Sequence, residues 1–299
     1  MNAKVAVIGL GKMGGSIATR LLSLEYVVAG YDPFPTAREA AAAQGVKVFD
    51  NPEEAIESAS AIYTSLPNEQ ALLDLFGENS SLWNHVAPGT ILIELSTISP
   101  EVMKGIASKA PKKALVVDAP ISGGPKEAVA GTLGIFLGTD RKLTKSERSF
   151  LEAISIQIHE IGTIGSGKVL KIINNAISMT NTAIAAEAMS LGLRAGIDLE
   201  TLYETLTLSG ADSRQLRSRF PRAVAGDFKP GAAIRIVRKD LTLAQAFSKS
   251  VGGQTPIIDR ANALFEVAEH AGLSEMDPVA LINLLTSDEK SIKQEIEEL

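Results

Sequence analysis

The sequence predicts an α/β protein in two parts. A doubly wound parallel sheet occupies residues 1 to 163, and an all-helical part occupies 164 to 299, entered through a long connecting helix. Three observations predict this. Short apolar runs alternate with helix-period stretches through the first half, as parallel βαβ units covered on both faces require. A glycine-rich turn stands where the first apolar run becomes the first helical stretch. Beyond residue 163 the strand signal ends, and a proline-free helical pattern runs from Lys168 to Ala195.

The candidate strands are 5–9, 27–31, 46–49, 61–66, 91–95 and 114–118, and runs at 134–138 and 156–161 extend the same sheet. Helical patterns at 13–24, 36–43, 52–57 and 69–76 fill gaps between them. At ~1.5 Å per residue the later helix spans about 40 Å. It is rich in small residues, among them Ala176, Ser178, Ala183 and Ala186, and poor in charge, which predicts a helix surrounded by protein. Helical patterns continue to the end, with breaks expected near Gly210, Pro221, Gly226, Pro230 and Gly252-Gly253.

The glycine-rich turn reads Gly9-Leu10-Gly11-Lys12-Met13-Gly14, after the run Val5-Ala6-Val7-Ile8. Gly9 permits a tight turn, Gly11 lets a pyrophosphate approach the backbone, and Gly14 lets the helix sit close to its strand. The helix N-terminus then offers free N–H groups to phosphates. The second run ends Tyr31-Asp32, and Asp32 lies 18 residues past Gly14. A carboxylate about 20 residues on accepts the ribose hydroxyls of a dinucleotide. These features predict a Rossmann-type dinucleotide site. NAD is favoured over NADP, because Asp32 would repel a 2′-phosphate and Arg38 is the first cation after it. The competing role for Asp32 is a cap on the next helix.

Composition removes other classes. A net charge of −6 argues against a nucleic-acid footprint. The absence of cysteine removes disulfides, thiolate metal sites and cysteine nucleophiles, and suits a reducing cytoplasm. No apolar stretch approaches the ~20 residues that cross a bilayer. The chain enters a strand almost at once, so no signal peptide is expected. His85, His159 and His270 share no metal-ligand spacing, and no metal is expected.

Ligands of open α/β sheets bind beyond the carboxyl ends of the strands. Three segments fall there: Ser65-Leu66-Pro67-Asn68, Ser96-Thr97-Ile98-Ser99-Pro100, and Asp118-Ala119-Pro120-Ile121-Ser122-Gly123-Gly124. The last offers a hydroxyl and two unobstructed N–H groups, a nest for a small carboxylate, although a plain turn would read the same way. Ser96 to Pro100 also reads as a helix cap. Lys171 and Asn175 stand at i and i+4 on one face of the long helix, an amine and an amide on an otherwise apolar surface. Lys168, near that face, is expected at the exposed start of the helix. Arg238-Lys239-Asp240 reads as a solvated charge cluster.

Taken in order, these motifs resemble the β-hydroxyacid dehydrogenases, the family of 3-hydroxyisobutyrate dehydrogenase and the tartronate, glyoxylate and succinic semialdehyde reductases. The resemblance covers essentially the whole chain and includes Ala128 with Gly131-Thr132-Leu133, Gly165-x-Gly167-x-x-x-Lys171-x-x-Asn174-Asn175 and Lys239-Asp240-Leu241. It implies a hydride exchange between nicotinamide and a small 3-hydroxy acid or semialdehyde. By the same resemblance Lys171 is the catalytic lysine, Asn175 its partner, and Ser122, Gly123 and Gly124 hold the substrate carboxylate. Thr97 and Lys239 would lie near the cofactor, with Leu66 and Pro67 along its ribose. Tyr31-Asp32 is similar to the NAD-preferring members.

The chain departs from the family pattern at Pro125-Lys126-Glu127, at Ser213-Arg214 and at Gly231-Ala232-Ala233, where an aromatic pocket wall is usual. These departures imply an altered pocket. Two other readings share the architecture: an imine reductase, which usually lacks the lysine, and a non-catalytic dinucleotide-binding scaffold. Relatives are dimers or tetramers, so a homodimer or homotetramer is expected.

Overall fold

A computed structural model describes residues 3–78, 80–287 and 290–297. Among them lie nine strands: β1 (Lys4–Ile8), β2 (Val27–Tyr31), β3 (Lys47–Val48), β4 (Ala61–Thr64), β5 (Ile91–Glu94), β6 (Leu115–Asp118), β7 (Ile121–Ser122), β8 (Leu133–Gly138) and β9 (Ser155–Gly162). All belong to one sheet, ordered β3-β2-β1-β4-β5-β6-β8-β7, with β9 on the other flank of β8. From β3 to β6 every neighbour is parallel, and β8 then runs antiparallel to β6 and β7. The order 3-2-1-4-5-6 is that of a dinucleotide-binding sheet, with its switch point between β1 and β4.

Residues of β1 alternate between two cores. Val5 and Val7 join one cluster with Ile17 and Leu21, while Ala6 and Ile8 join another with Ile62 and Leu92. Both faces of the strand are therefore dry, which is why its sequence is apolar throughout instead of alternating. Helices α1 (Lys12–Ser23), α2 (Pro35–Ala42), α3 (Pro52–Ile56), α4 (Glu69–Phe76), α5 (Pro100–Lys109), α6 (Pro125–Ala130) and α7 (Lys145–Glu152) connect the strands. Short polar side chains start several of them: Asn51, Asn68, Ser99 and Thr144 each accept a first-turn N–H.

The chain forms two compact units, Met1–Lys171 and Ile172–Leu299. The second contains most of α8 (Ser166–Arg194), then α9 (Leu199–Leu206), α10 (Arg214–Val224), α11 (Ile234–Ser250), α12 (Pro256–Ala268), α13 (Leu281–Thr286) and α14 (Lys290–Glu297). Its core gathers Met179, Ala183, Ala186 and Met189 from α8 with Phe220, Val237, Leu241 and Phe265.

One expectation fails here. Pro221 does not break the chain but lies inside α10. Proline removes the N–H that would serve the carbonyl of Arg217. The Tyr203 hydroxyl donates to that carbonyl instead, at 3.4 Å. Within the single chain α8 is not covered on all sides. Its small residues and methionines face the core, while Ile173, Ile177, Ile184 and Leu191 are exposed, Leu191 to 64%.

Candidate active site

The glycine turn sits at the carboxyl end of β1 with the geometry its sequence demands. Gly9 has φ +89°, and its N–H donates to the Tyr31 carbonyl at 2.9 Å. A Cβ on Gly14 would lie 1.8 Å from the Gly9 carbonyl oxygen, so only glycine fits. A Cβ on Gly11 would meet nothing within 4 Å. Open space therefore lies in front of the residue whose backbone should meet a pyrophosphate. Leu10 is buried, and the half-buried Met13 side chain packs against the core. Lys12 is exposed on the first turn of α1. A groove of about 580 Å³ runs along Leu10, Gly11 and Lys12 to Thr36 and Ala37.

Asp32 does not cap α2, whose first position follows Phe34 with no side-chain cap. Its buried carboxylate accepts the N–H of Leu10 at 2.8 Å and of Phe34 at 2.9 Å. One oxygen is thus tied to the glycine turn and the other to the chain leaving β2. Each keeps a lone pair for a ribose hydroxyl, so the site fits an adenosine ribose. Arg38 is directed away, to the Asp32 carbonyl at 2.7 Å and to Asp50 at 2.9 Å.

Leu66 and Thr97 follow the ends of β4 and β5. They are linked, because the Leu66 N–H donates to the Ser96 hydroxyl at 2.8 Å. Ser99 caps α5 as expected, accepting from Val102 at 3.3 Å. Ser122 closes β7, and Gly123 follows with φ +128°. The two N–H groups of this nest are not both open. Gly124 donates to the Glu127 carboxylate at 2.9 Å, a capping interaction created by one of the residues that depart from the family pattern. Ser122 Oγ and the Gly123 N–H are its other donors.

Lys168 is the clearest correction. It is not at an exposed helix start but has a side chain 0% exposed. Its Nζ lies 2.5 Å from Glu94 Oε2 and 3.2 Å from Asp118 Oδ1, both acids equally buried, and donates to the Glu94 carbonyl at 2.9 Å. Asp118 Oδ2 also accepts the N–H groups of Gly165 and Lys168 at 3.0 and 3.1 Å, capping α8. A buried cation of this kind survives only when paired and hydrogen-bonded. Losing one partner from such a cluster costs about 3–5 kcal/mol.

Lys171 is half-buried, one turn before Asn175 on α8. The Asn175 amide is oriented from both ends. Its Nδ2 donates to Asp240 Oδ2 at 2.6 Å, and its Oδ1 accepts from Asn174 at 3.0 Å. Asp240 is a further correction, since it is buried in the second core and not on a solvated face. Lys239 pairs with it at 3.0 Å. Sequence periodicity carried the signal, because Asp240 shares the inward stripe of α11 with Val237, Leu241 and Ala244. Ala233 precedes α11, and the Gly231 N–H before it donates to the buried Asp277 at 3.0 Å. Arg214 opens α10. Among the described residues no His, Asp or Glu cluster could hold a metal ion.

The sheet order and the glycine turn at the end of β1 define a dinucleotide-binding protein. Residues 4–163 match the family described as the NAD binding domain of 6-phosphogluconate dehydrogenase. Residues 165–285 match that described as NAD-binding of NADP-dependent 3-hydroxyisobutyrate dehydrogenase. The chain belongs to the β-hydroxyacid dehydrogenase family and is an NAD(P)-dependent oxidoreductase of the 3-hydroxyacid type. It is 31% identical to the 2-(hydroxymethyl)glutarate dehydrogenase of Eubacterium barkeri, over 95% of each chain. It is 31% identical to the NAD-dependent L-serine dehydrogenase of Pseudomonas aeruginosa, over 92% of this chain and 95% of that one. Its fold is similar to that of 3-hydroxyisobutyrate dehydrogenase from Mycobacterium tuberculosis, solved with L-serine (TM-score 0.85, 29% identity, 96% and 100% covered). An imine reductase from Pseudomonas sp., at 19% identity and TM-score 0.63, shares the fold alone.

Proposed function

We propose that the protein interconverts a small 3-hydroxy acid and its semialdehyde, prefers NAD, and uses Lys171 to move the proton on the reacting oxygen. One observation carries this: an amine and an amide stand one turn apart on α8, and the amide is held by a buried carboxylate. The nicotinamide supplies or accepts the hydride. As an ammonium, Lys171 gives a proton to the carbonyl oxygen while charge develops there; as an amine, it takes the proton from the alcohol in reverse. Asn175 has one amide N–H committed to Asp240, and its second is free to orient the same oxygen without titrating. Within the Ser122-Gly123-Gly124 turn, Ser122 Oγ and the Gly123 N–H hold the carboxylate, since the Gly124 N–H is taken by Glu127, so that the reacting carbon is presented in one orientation. Gly9 to Gly14, Tyr31 and Asp32 take the adenosine and pyrophosphate end. Leu66, Pro67, Thr97 and Lys239 are assigned to the cofactor by their place in the family pattern.

The three substrates named for the dehydrogenases above all carry a hydroxymethyl group on the carbon that bears a carboxylate. That chemistry is the expected class here. The helical part, residues 164–299, supplies Asn175 and Asp240 and serves substrate binding and self-association. The exposed stripe of α8 supports a homodimer or homotetramer, since a monomer would leave four large apolar side chains in water. No described helix is long and apolar enough to cross a membrane. The cysteine-free composition suits a cytoplasmic enzyme.

A panel of hydroxy acids and semialdehydes, followed by nicotinamide absorbance, tests the reading. Lys171→Ala should cut kcat by about 10²–10⁴-fold while the NADH dissociation constant stays unchanged. Normal turnover in that variant would end the assignment.

A further inference from the structure

Resting on that oxidoreductase reading, we propose that Lys168 is a positioning residue: its buried ammonium, held by Glu94 and Asp118, sets the placement of Lys171 and of the loops carrying Leu66 and Thr97. The observations converge from three strand ends. Glu94 closes β5, and its Oε1 accepts the Ser96 N–H at 3.0 Å and the Thr64 hydroxyl at 3.4 Å. Ser96 Oγ then accepts the Leu66 N–H at 2.8 Å. One carboxylate thereby fixes the turn before Thr97 and, through Ser96, the turn after β4. Its second oxygen meets Lys168 Nζ at 2.5 Å. Asp118 closes β6, accepts the N–H of Gly165 just before α8 and of Lys168 in its first turn, and meets the same Nζ at 3.2 Å.

The space around the cluster is shaped for it. A Cβ on Gly167 would lie 3.0 Å from Asp118 Oδ2 and 2.3 Å from the Phe136 carbonyl oxygen, and one on Gly138 would lie 2.9 Å from Asp118 Oδ2. The helix can approach the sheet this closely only because both positions are glycine. Lys171 follows Lys168 by three residues, about 300° of rotation and about 4.5 Å of rise. A tilt or turn of the first helical turn is therefore passed directly to the Lys171 amine. Apolar packing would brace this junction at least as well, because buried ion pairs seldom outdo hydrophobic residues in stability. A charge cluster differs in having one geometry, and proton transfer is sensitive to displacements of about 1 Å.

The test separates positioning from bracing. Lys168→Gln, Glu94→Gln, the double variant and Lys168→Arg are compared with wild type by melting temperature, NADH dissociation constant, kcat and KM. Lys168→Gln should lose stability, since two buried acids lose their cation, and should lose about ten-fold or more in kcat, with KM and NADH binding within about two-fold. The double variant removes one acid along with the ammonium. Its melting temperature should recover while kcat stays low. Lys168→Arg keeps the charge but changes reach and planarity; it should fold and still lose kcat, which answers the question if the glutamine variants do not fold. Wild-type kcat in Lys168→Gln or in Lys168→Arg, or recovery of kcat together with stability in the double variant, would reduce the cluster to a structural brace. A wild-type protein with no turnover on any hydroxy acid would instead overturn the oxidoreductase reading, and this proposal with it.

Discussion

Glu127 sits where a small carboxylate should be welcomed, and it is itself a carboxylate, accepting the Gly124 N–H at 2.9 Å. If the Ser122-Gly123-Gly124 turn receives the substrate carboxylate as proposed, that anion has to share it with a like charge or use the remaining donors, and a raised KM is the expected result. Glu127→Ala should lower that KM several-fold with kcat nearly unchanged, at a cost of about 1 kcal/mol from the lost helix cap. Steady-state kinetics on the best substrate of the panel measure this, and an unchanged KM would show that the acid does not meet the substrate. Site residues differ in how far sequence reveals them. The placement of Asp32 beside the glycine turn is legible because it depends on a strand end and a short spacing. Lys168 is not, because its partners Glu94 and Asp118 are 74 and 50 residues away in sequence. Locally it resembles any lysine in a first helical turn, and exposure is the ordinary fate of such a residue. Asp240 is intermediate: its neighbours Val237, Leu241 and Ala244 mark it as inward-facing, yet the charges beside it suggest a wet surface.

At the scale of the element, the turn between β1 and α1 separates two kinds of glycine. Gly14 is needed by the fold, since its missing Cβ would overlap the Gly9 carbonyl. Gly11 faces open space, so nothing in the packing requires glycine there, and the proposed pyrophosphate contact is what would. Gly11→Ala should therefore leave the melting temperature of the free protein within about 1 °C, because a surface substitution of this kind changes stability by under about 0.5 kcal/mol, while NADH affinity falls at least several-fold. Thermal denaturation and fluorescence titration of the same sample check both halves. Equal loss of stability would mean that Gly11 also serves the fold. Most strands were legible because both faces of the sheet are buried and the runs are almost purely apolar. The two-residue β7 was not, since Ile121-Ser122 is too short to show a period and is defined by pairing with Ile135 and Gly134. The survival of α10 through Pro221 was illegible for a similar reason: it depends on a hydroxyl from Tyr203, on a different helix.

For the whole molecule, the unusual feature is a helix that leaves a stripe of large apolar side chains exposed. Ile177, Ile184 and Leu191 recur at sevenfold spacing on the exposed face of α8, at 59%, 55% and 64% exposure. The sequence showed that this helix is long and poorly charged, but not which face the core would take, because small residues and methionines won the interior. If this stripe is the subunit interface, Ile177→Glu with Ile184→Glu should leave only monomers, measured by sedimentation velocity. A wild-type monomer at micromolar concentration would refute self-association through this face. If partners do cover the stripe, dilution acts on this protein as heat does. Mass action would make the melting temperature climb with protein concentration, and a stock thinned for assay would lose activity on standing while a concentrated one kept it.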